Sequence, residues 1–378
     1  MRRFLAAAVA VWALGAASAS GSASAGASAG ASSDRDCTGS YGGVPARHGS
    51  SLRFGVDPRI AGSAGSVQLP SVPDDPARDL AAVRALRSPG RVMVVRLGRL
   101  FWSDGRAGIA RFKRMVRRYA TAGFEVELQV RYHPPVGEAG NINAWVAYVR
   151  RVVDAFGANP RVIAMTITNE VNVRISPNTS DGYYPRAEDA LIRGIEAAHA
   201  EAVRRGYRRL RFGFTYAYRF EPTEDAAVFA YIGAHGGKAF RRAVGFVGLD
   251  FYPGTIYPPV MRPGDSYRTE LAQAAGVLRS CLMRRAQIGA RVPIWITENG
   301  VPTAAPSSGA AQAAALRELV RAASDYSGTF DITDYRWFNL RDSGPGLFGT
   351  DGLLRADYSA KPSFGAYRRL IARLGASN

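Results

Sequence analysis

The chain has 378 residues, with 49 Lys and Arg against 31 Asp and Glu, and its formal net charge of +18 is carried almost wholly by arginine, since Lys113, Lys238 and Lys361 are its only lysines. The basic residues are scattered over helical patterns rather than interleaved with aromatic ones, which argues against a nucleic-acid groove. An anionic or cell-wall polysaccharide would suit the charge as a partner, although a coding bias toward arginine is the simpler account.

The amino terminus reads as an export signal. Arg2 and Arg3 precede an apolar run, Phe4 to Ala17, that is too short to span a bilayer, and small residues at Ala17, Ala19, Ala23 and Ala25 suit signal peptidase. Residues 1–25 are therefore expected to be a cleaved secretory signal, and the protein to be secreted or held at the cell surface without stable membrane insertion. Residues 26–47 are expected to form a flexible Gly/Ala/Ser-rich tract and an arm. About 345 residues remain, enough for one large α/β barrel or two smaller domains. No Pro-rich or Gly-rich linker interrupts Leu52 to Leu374, so one domain over residues 48–378, acting as a monomer, is expected. Cys37 and Cys281 are the only cysteines, and export permits a disulfide. They are expected to bond, tie down the arm, and lie near the end of the fold away from the site.

Eight strand-like runs begin near Arg53, Val92, Phe124, Val162, Arg208, Gly245, Val292 and Ile332, spaced by 39, 32, 38, 46, 37, 47 and 40 residues. Between them, Asp79–Arg87, Gly108–Ala122, Ile142–Phe156, Ala187–Arg205, Ala226–Ala243, Tyr267–Gln287 and Ala310–Asp325 carry apolar residues at helical spacing, and Ser363–Leu374 closes the chain. Gly123, Gly157 and Gly206 follow three of these as stops. Eight strand and helix alternations in one uninterrupted domain predict an α/β fold, a closed (β/α)8 TIM barrel. An open doubly wound sheet would commonly bring a phosphate-binding glycine loop after an early strand, and Gly55, Val56, Asp57, Pro58 offer none.

Reactive groups in such a barrel sit at the carboxyl ends of the strands. Those ends carry Asp57, Arg96, His133, Asn169 with Glu170, Tyr216 with Tyr218, Tyr252, Glu298, and Trp337 with Asn339 and Asp342. Aromatic faces and polar groups in this mixture suit a carbohydrate. Two of the ends are alike. Val292–Pro302 reads VPIWITENGVP, an apolar strand stopping at Glu298, and Val162–Asn172 reads VIAMTITNEVN, stopping at Asn169 and Glu170. Side-chain alternation puts Ile294, Ile296 and Glu298 on one face and Trp295 and Thr297 on the other, with Trp295 facing outward into core. Strands four and seven face each other across the barrel, so Glu170 and Glu298 are expected to meet over its mouth. Two carboxyl groups about 5–5.5 Å apart are what glycosidic cleavage with retention requires, one as nucleophile and one as proton donor.

These residues carry a resemblance. Pro293–Gly300, PIWITENG, resembles the nucleophile strand of family 1 β-glycosidases, and Asn169-Glu170 is similar to the acid/base pair of clan A glycoside hydrolases. Arg96 in VVRLG is similar to the arginine that family 5 enzymes place beside the nucleophile, and Tyr252 in LDFYPG resembles the tyrosine that bonds the nucleophile, in a run also like one of family 53 galactanases. Trp337 stands where the clan carries a sugar-stacking tryptophan, and Phe348–Tyr367 is similar to the clan's closing segment. Val171 departs from the proline that follows the acid/base in family 1 and many family 5 members. The resemblance implies Glu298 as nucleophile, Glu170 as acid/base, Asn169 as the partner of a sugar 2-hydroxyl, and Arg96, Tyr252 and Trp337 as parts of the substrate site, which His133 is also expected to join.

Simpler readings stand beside these. The glutamates would pair with the abundant arginines, Arg96 with Asp57 or Glu127, and His133 would be a hydrogen-bonded loop histidine. Trp145 and Trp295 read as core, and Trp102 as either core or cleft. Histidines 48, 133, 199 and 235 have no metal-ligand spacing, so neither metal nor cofactor is expected. The expected function is a secreted retaining glycoside hydrolase acting on β-linked poly- or oligosaccharide. A non-catalytic carbohydrate-binding barrel and a transglycosylase using the same residues are the alternatives.

Overall fold

The computed structural model describes residues 37–58, 73–219, 222–256, 260–344 and 349–378. The expected signal segment lies outside them, as do parts of the loops after the first and sixth strands. Helix α1 (Pro76–Leu86) starts three residues before the apolar periodicity does, because Asp75 caps it, accepting from the amides of Ala77 and Arg78, and Pro76 supplies a preset first turn. Ser266 caps α7 (Tyr267–Val277) by a reciprocal box with Thr269, and Gly206 ends α4 (Ala187–Arg205) in a left-handed turn.

The strands are β1 (Arg53–Val56), β2 (Met93–Phe101), β3 (Glu125–Arg131), β4 (Val162–Ile167), β5 (Arg211–Ala217), β6 (Val244–Phe251), β7 (Ile294–Asn299) and β8 (Ile332–Trp337). Each pairs in parallel with the next and β8 pairs in parallel with β1, closing the barrel in sequence order. Helices α2 (Gly105–Thr121), α3 (Ile142–Phe156) and α9 (Gly309–Asp325) cross over as single elements. The helix expected over Ala226–Ala243 is two, α5 (Pro222–His235) and α6 (Gly237–Ala243), parted at Gly236. That expected over Tyr267–Gln287 passes from α7 through a π-helical turn, Leu278–Leu282, into α8 (Met283–Arg285). Short α10 (Ser327–Phe330) and the closing α11 (Pro362–Leu374) complete the ring.

Cys37 and Cys281 are bonded, with 5.1 Å between their Cα atoms. The arm runs along α7, where Gln273 accepts from the Tyr41 amide and donates to the Gly39 carbonyl, before Arg47 bonds Gly328 beyond α9. The expectation that the bond lies at the far end of the barrel needs correction. Cys37 lines a cavity together with Tyr218 and Arg219, which follow the carboxyl end of β5, so the bond sits on the flank. The arm lies along α7 rather than beneath the strands, and this is what carries Cys37 up that flank.

Most of the apolar core lies between strands and helices, while the barrel interior is partly ionic. Arg96 reaches Glu127 at 3.3 Å, Arg336 reaches Glu127 at 3.2 Å and Asp334 at 2.7 Å, and all four side chains are buried. A column of alternating charge thus runs through the interior, each acid met by a guanidinium, which is the condition for burying charge at all. Gly55 makes room for it: a Cβ there would lie 2.4 Å from Arg336 Cδ.

Candidate active site

Glu298 is held on both oxygens. Arg96 on β2 donates from Nη1 to Oε1 at 2.7 Å, and Tyr252 donates its hydroxyl to Oε2 at 2.8 Å. Gln129 on β3 donates to Oε1 at 3.4 Å. Arg96 is fully buried and lies 3.9 Å from Asp57 as well as touching Glu127, so its structural pairings and its contact with Glu298 exist together.

The way β7 delivers Glu298 differs from strict alternation. Trp295 faces into the barrel, its ring stacked on Phe246 with centroids 3.8 Å apart, while Ile294 and Ile296 pack under the helices. The pairing of β6 with β7 then skips a residue: Leu249 pairs with Ile296 and Asp250 with Glu298. This irregularity lets Thr297 and Glu298 both serve the interior, Thr297 bonding Asp250 and Glu298 bonding Arg96, and turns Asn299 out to Tyr335. A bulge re-aims a side chain in this way at the cost of one ladder position.

Glu170 follows β4 on a bent backbone. Thr168 and Glu170 have φ of 70° and 46°, left-handed values that cost a non-glycine residue about 1 kcal/mol or more. The bend is pinned by Asp181, which accepts from the amides of Asn169 and Tyr132 and from Arg131, and by Thr215 on β5, which accepts from the Glu170 amide at 3.0 Å. Asn169 Oδ1 accepts from Thr215 and Gln129, and its Nδ2 donates to the Thr179 carbonyl. The carboxyls of Glu170, Glu298 and a third acid, Asp250 on β6, converge, with one oxygen of each within 4.8 Å of the others. Burial first, then the charges of Asp250 and Glu298, push the Glu170 carboxyl well above the usual range. Among the described residues these three are also the acids close enough to hold a cation. The Arg96 guanidinium on Glu298 already supplies positive charge there, which disfavours one.

His133, at the end of β3, packs on Phe101 with centroids 4.6 Å apart, meets the Tyr184 ring at 5.3 Å and shares a hydrogen bond between its Nδ1 and Ser103. Burial and Arg131 lower its pKa, so it is neutral at neutral pH. Trp337 requires correction. Its neighbour Arg336 points into the barrel, so alternation turns Trp337 out beneath the helices, fully buried, with its indole N–H donating to the Asp351 carbonyl. It presents no face to a ligand. Phe338, half-buried and edge-on to Tyr252 at 6.2 Å, stands at the cleft instead. Trp145 is core as expected, Trp295 is buried but inside the barrel rather than facing outward, and Trp102 is core too, stacked on Tyr132.

Asp250, Gln129, Asp181, Thr215 and Phe338 were not singled out from sequence. Asp250 had a signal: a lone acid in the apolar run FVGLDF, two residues before Tyr252 and so on its face. Asp181, in a loop, had none.

No protein-family model matches the sequence, and no curated protein sequence matches it. Solved structures do resemble the fold. A GH5_18 from Streptomyces cattleya in complex with GlcNAc aligns at 18% identity over 87% of this chain and 81% of that one, with a TM-score of 0.58. A β-glucosidase from Thermotoga maritima in complex with castanospermine aligns at 14% identity over 88% and 100%, with a TM-score of 0.60. A GH5_18 from Bifidobacterium longum subsp. infantis aligns at 16% identity over 87% and 80%, with a TM-score of 0.59. The chain shares the (β/α)8 fold of these glycoside hydrolases.

Proposed function

We propose that this chain is a retaining glycoside hydrolase that cleaves β-glycosidic bonds of a poly- or oligosaccharide by double displacement, without a cofactor. The observation that carries the reading is the unequal treatment of two facing glutamates. Glu298 receives a guanidinium and a phenol, donors that serve an anion, whereas Glu170 is buried among acids and keeps its proton. A carboxylate held by cationic and phenolic donors beside a carboxyl raised by burial assigns nucleophile and acid. An oxygen of one glutamate within 4.8 Å of an oxygen of the other suits retention, since inversion needs groups about 6.5–9.5 Å apart to admit a water between them.

In the first half-reaction a Glu298 oxygen bonds the anomeric carbon while Glu170 gives its proton to the departing glycosidic oxygen. Esterification removes the charge of Glu298 and with it one of the influences holding the proton on Glu170. Glu170, now ionised, takes a proton from water, whose oxygen displaces Glu298 from the anomeric carbon. Arg96 and Tyr252 fix the direction of attack, Asn169 faces the sugar 2-hydroxyl, and His133 with Phe338 walls the cleft. Export is part of the same proposal: the leader-like first 25 residues support it, and the Cys37–Cys281 bond accords with an oxidising compartment.

The test is a panel of β-glucans, mannans, xylans, galactans and bacterial exopolysaccharides, together with aryl β-glycosides, run on the wild type and on Glu298→Gln. Product from the wild type and none from the variant is expected. Binding without product anywhere on the panel would make the chain a carbohydrate-binding barrel, and transfer to added sugar exceeding hydrolysis would make it a transglycosylase.

A further inference from the structure

The two glutamates do not account for the third acid at the mouth. Asp250 is fully buried, and its carboxyl lies within 4.8 Å of those of Glu170 and Glu298. Its Oδ1 accepts from Thr297 at 2.7 Å, but its Oδ2 is buried without a hydrogen-bond partner. Thr215 stands close, yet its hydroxyl donates to Asn169. The groups that face Asp250 are Glu298 from β7, Glu170 from the end of β4, Tyr252 from its own strand and Arg96 from β2. Arg96 gives its hydrogen bonds to Glu298 and Glu127, and no ion pair to Asp250 is formed among the described residues. The fold makes room for this acid. Gly248, two residues earlier on the same face, leaves space for Thr297, whose hydroxyl would lie 2.5 Å from a Cβ there.

We propose that Asp250 is a positioning residue for the acid/base, whose carboxyl keeps the proton on Glu170 to higher pH than burial beside Glu298 alone would. The inference rests on the reading of Glu170 as the proton donor. An acid this close that has no cation of its own repels a second ionisation. Once Asp250 is charged, Glu170 can ionise only against it, and the two titrate as a pair. Burial and Glu298 push Asp250 upward as well, so both acids hold their protons above the ordinary carboxyl range. The alkaline limit of turnover thus belongs to the pair, and an asparagine, which has the same shape and no charge, would lower it.

The experiment is the pH profile of kcat/KM for the wild type and Asp250→Asn, on a substrate from the panel whose leaving group needs protonation. The alkaline limb of the variant is expected about one to two pH units below that of the wild type. An unmoved limb overturns the proposal. A second measurement needs no variant: a carbon-13 NMR titration of the carboxyls in the wild-type protein should find Asp250 and Glu170 both titrating above the ordinary acid range, with interacting curves. Only one such carboxyl at the mouth overturns the proposal even if Asp250→Asn does not fold. A wild type that turns over no glycoside defeats the proposed function instead, and the carbon-13 titration then still decides the Asp250–Glu170 coupling.

Discussion

In the proposed mechanism, replacing Glu170 by Gln removes the proton donor while keeping its shape, and the loss should depend on how much help the leaving group needs. A positioned general acid contributes about 10²–10⁴ in rate, or roughly 3–5 kcal/mol of barrier. The variant should therefore lose that much in kcat/KM on a disaccharide or an alkyl glycoside, and far less on a dinitrophenyl glycoside, which departs unprotonated. With that activated substrate the first step survives and the second, lacking its base, becomes limiting, so a burst of phenol should precede a slow steady state. Azide, a nucleophile that needs no base, should restore turnover and yield a β-glycosyl azide. Stability should move the other way. The Glu170 pKa is raised in the folded chain, so between about pH 4.5 and that raised value the native state holds a proton that the unfolded chain has lost. Stability contributed by this site accordingly falls as pH rises, by about 1.4 kcal/mol per pH unit. Glutamine ends that dependence, so the variant should melt higher than the wild type at pH 7 and not at pH 4. Equal loss on good and poor leaving groups, with no azide response, would refute the assignment.

The same linkage can be tested away from the mouth. Asp79 is buried on α1, and burial, only partly offset by the Tyr358 hydroxyl at 2.8 Å, raises it to about 7. From an unfolded value near 3.8, stability should fall with rising pH across that window by on the order of 4 kcal/mol. Asp79→Asn should then stabilise the chain against urea at pH 8 and leave it unchanged at pH 3.5, and the same gain at both would defeat the argument. Cys37→Ser, which frees the arm from α7, should cost about 2–4 kcal/mol in the oxidised protein and nothing once the wild type is reduced.

The barrel was legible because its signal is repeated: eight runs at near-regular spacing each start within three residues of an observed strand. Helix starts were less so, since a cap such as Asp75 extends a helix beyond its apolar stripe. At the site, Glu170, Glu298, Arg96, Tyr252 and Asn169 do converge. Their polar character at strand ends was enough to place them. What misled was parity. Alternation alone put Trp295 outside and Glu298 on the face of Ile296, and only the irregular pairing at Thr297, which no residue advertises, reconciles an inward Trp295 with an inward Glu298. At the end of β8, Arg336 turns into the barrel and Trp337 therefore out of it, because neighbours on a regular strand do not share a face. Asp250 is less legible, because a lone acid in an apolar strand carries no mark of its own beyond its place two residues before the tyrosine.

The proposed mechanism proceeds from a covalent bond to one named carboxylate. Incubation with a 2-fluoro glycoside bearing a good leaving group, matched to whichever sugar the panel identifies, followed by peptide mass mapping, tests it directly. A single fluoroglycosyl ester on Glu298 is predicted, absent from Glu298→Gln. An ester on Glu170 or Asp250, or turnover of the fluoro sugar's parent with no ester anywhere, would contradict it.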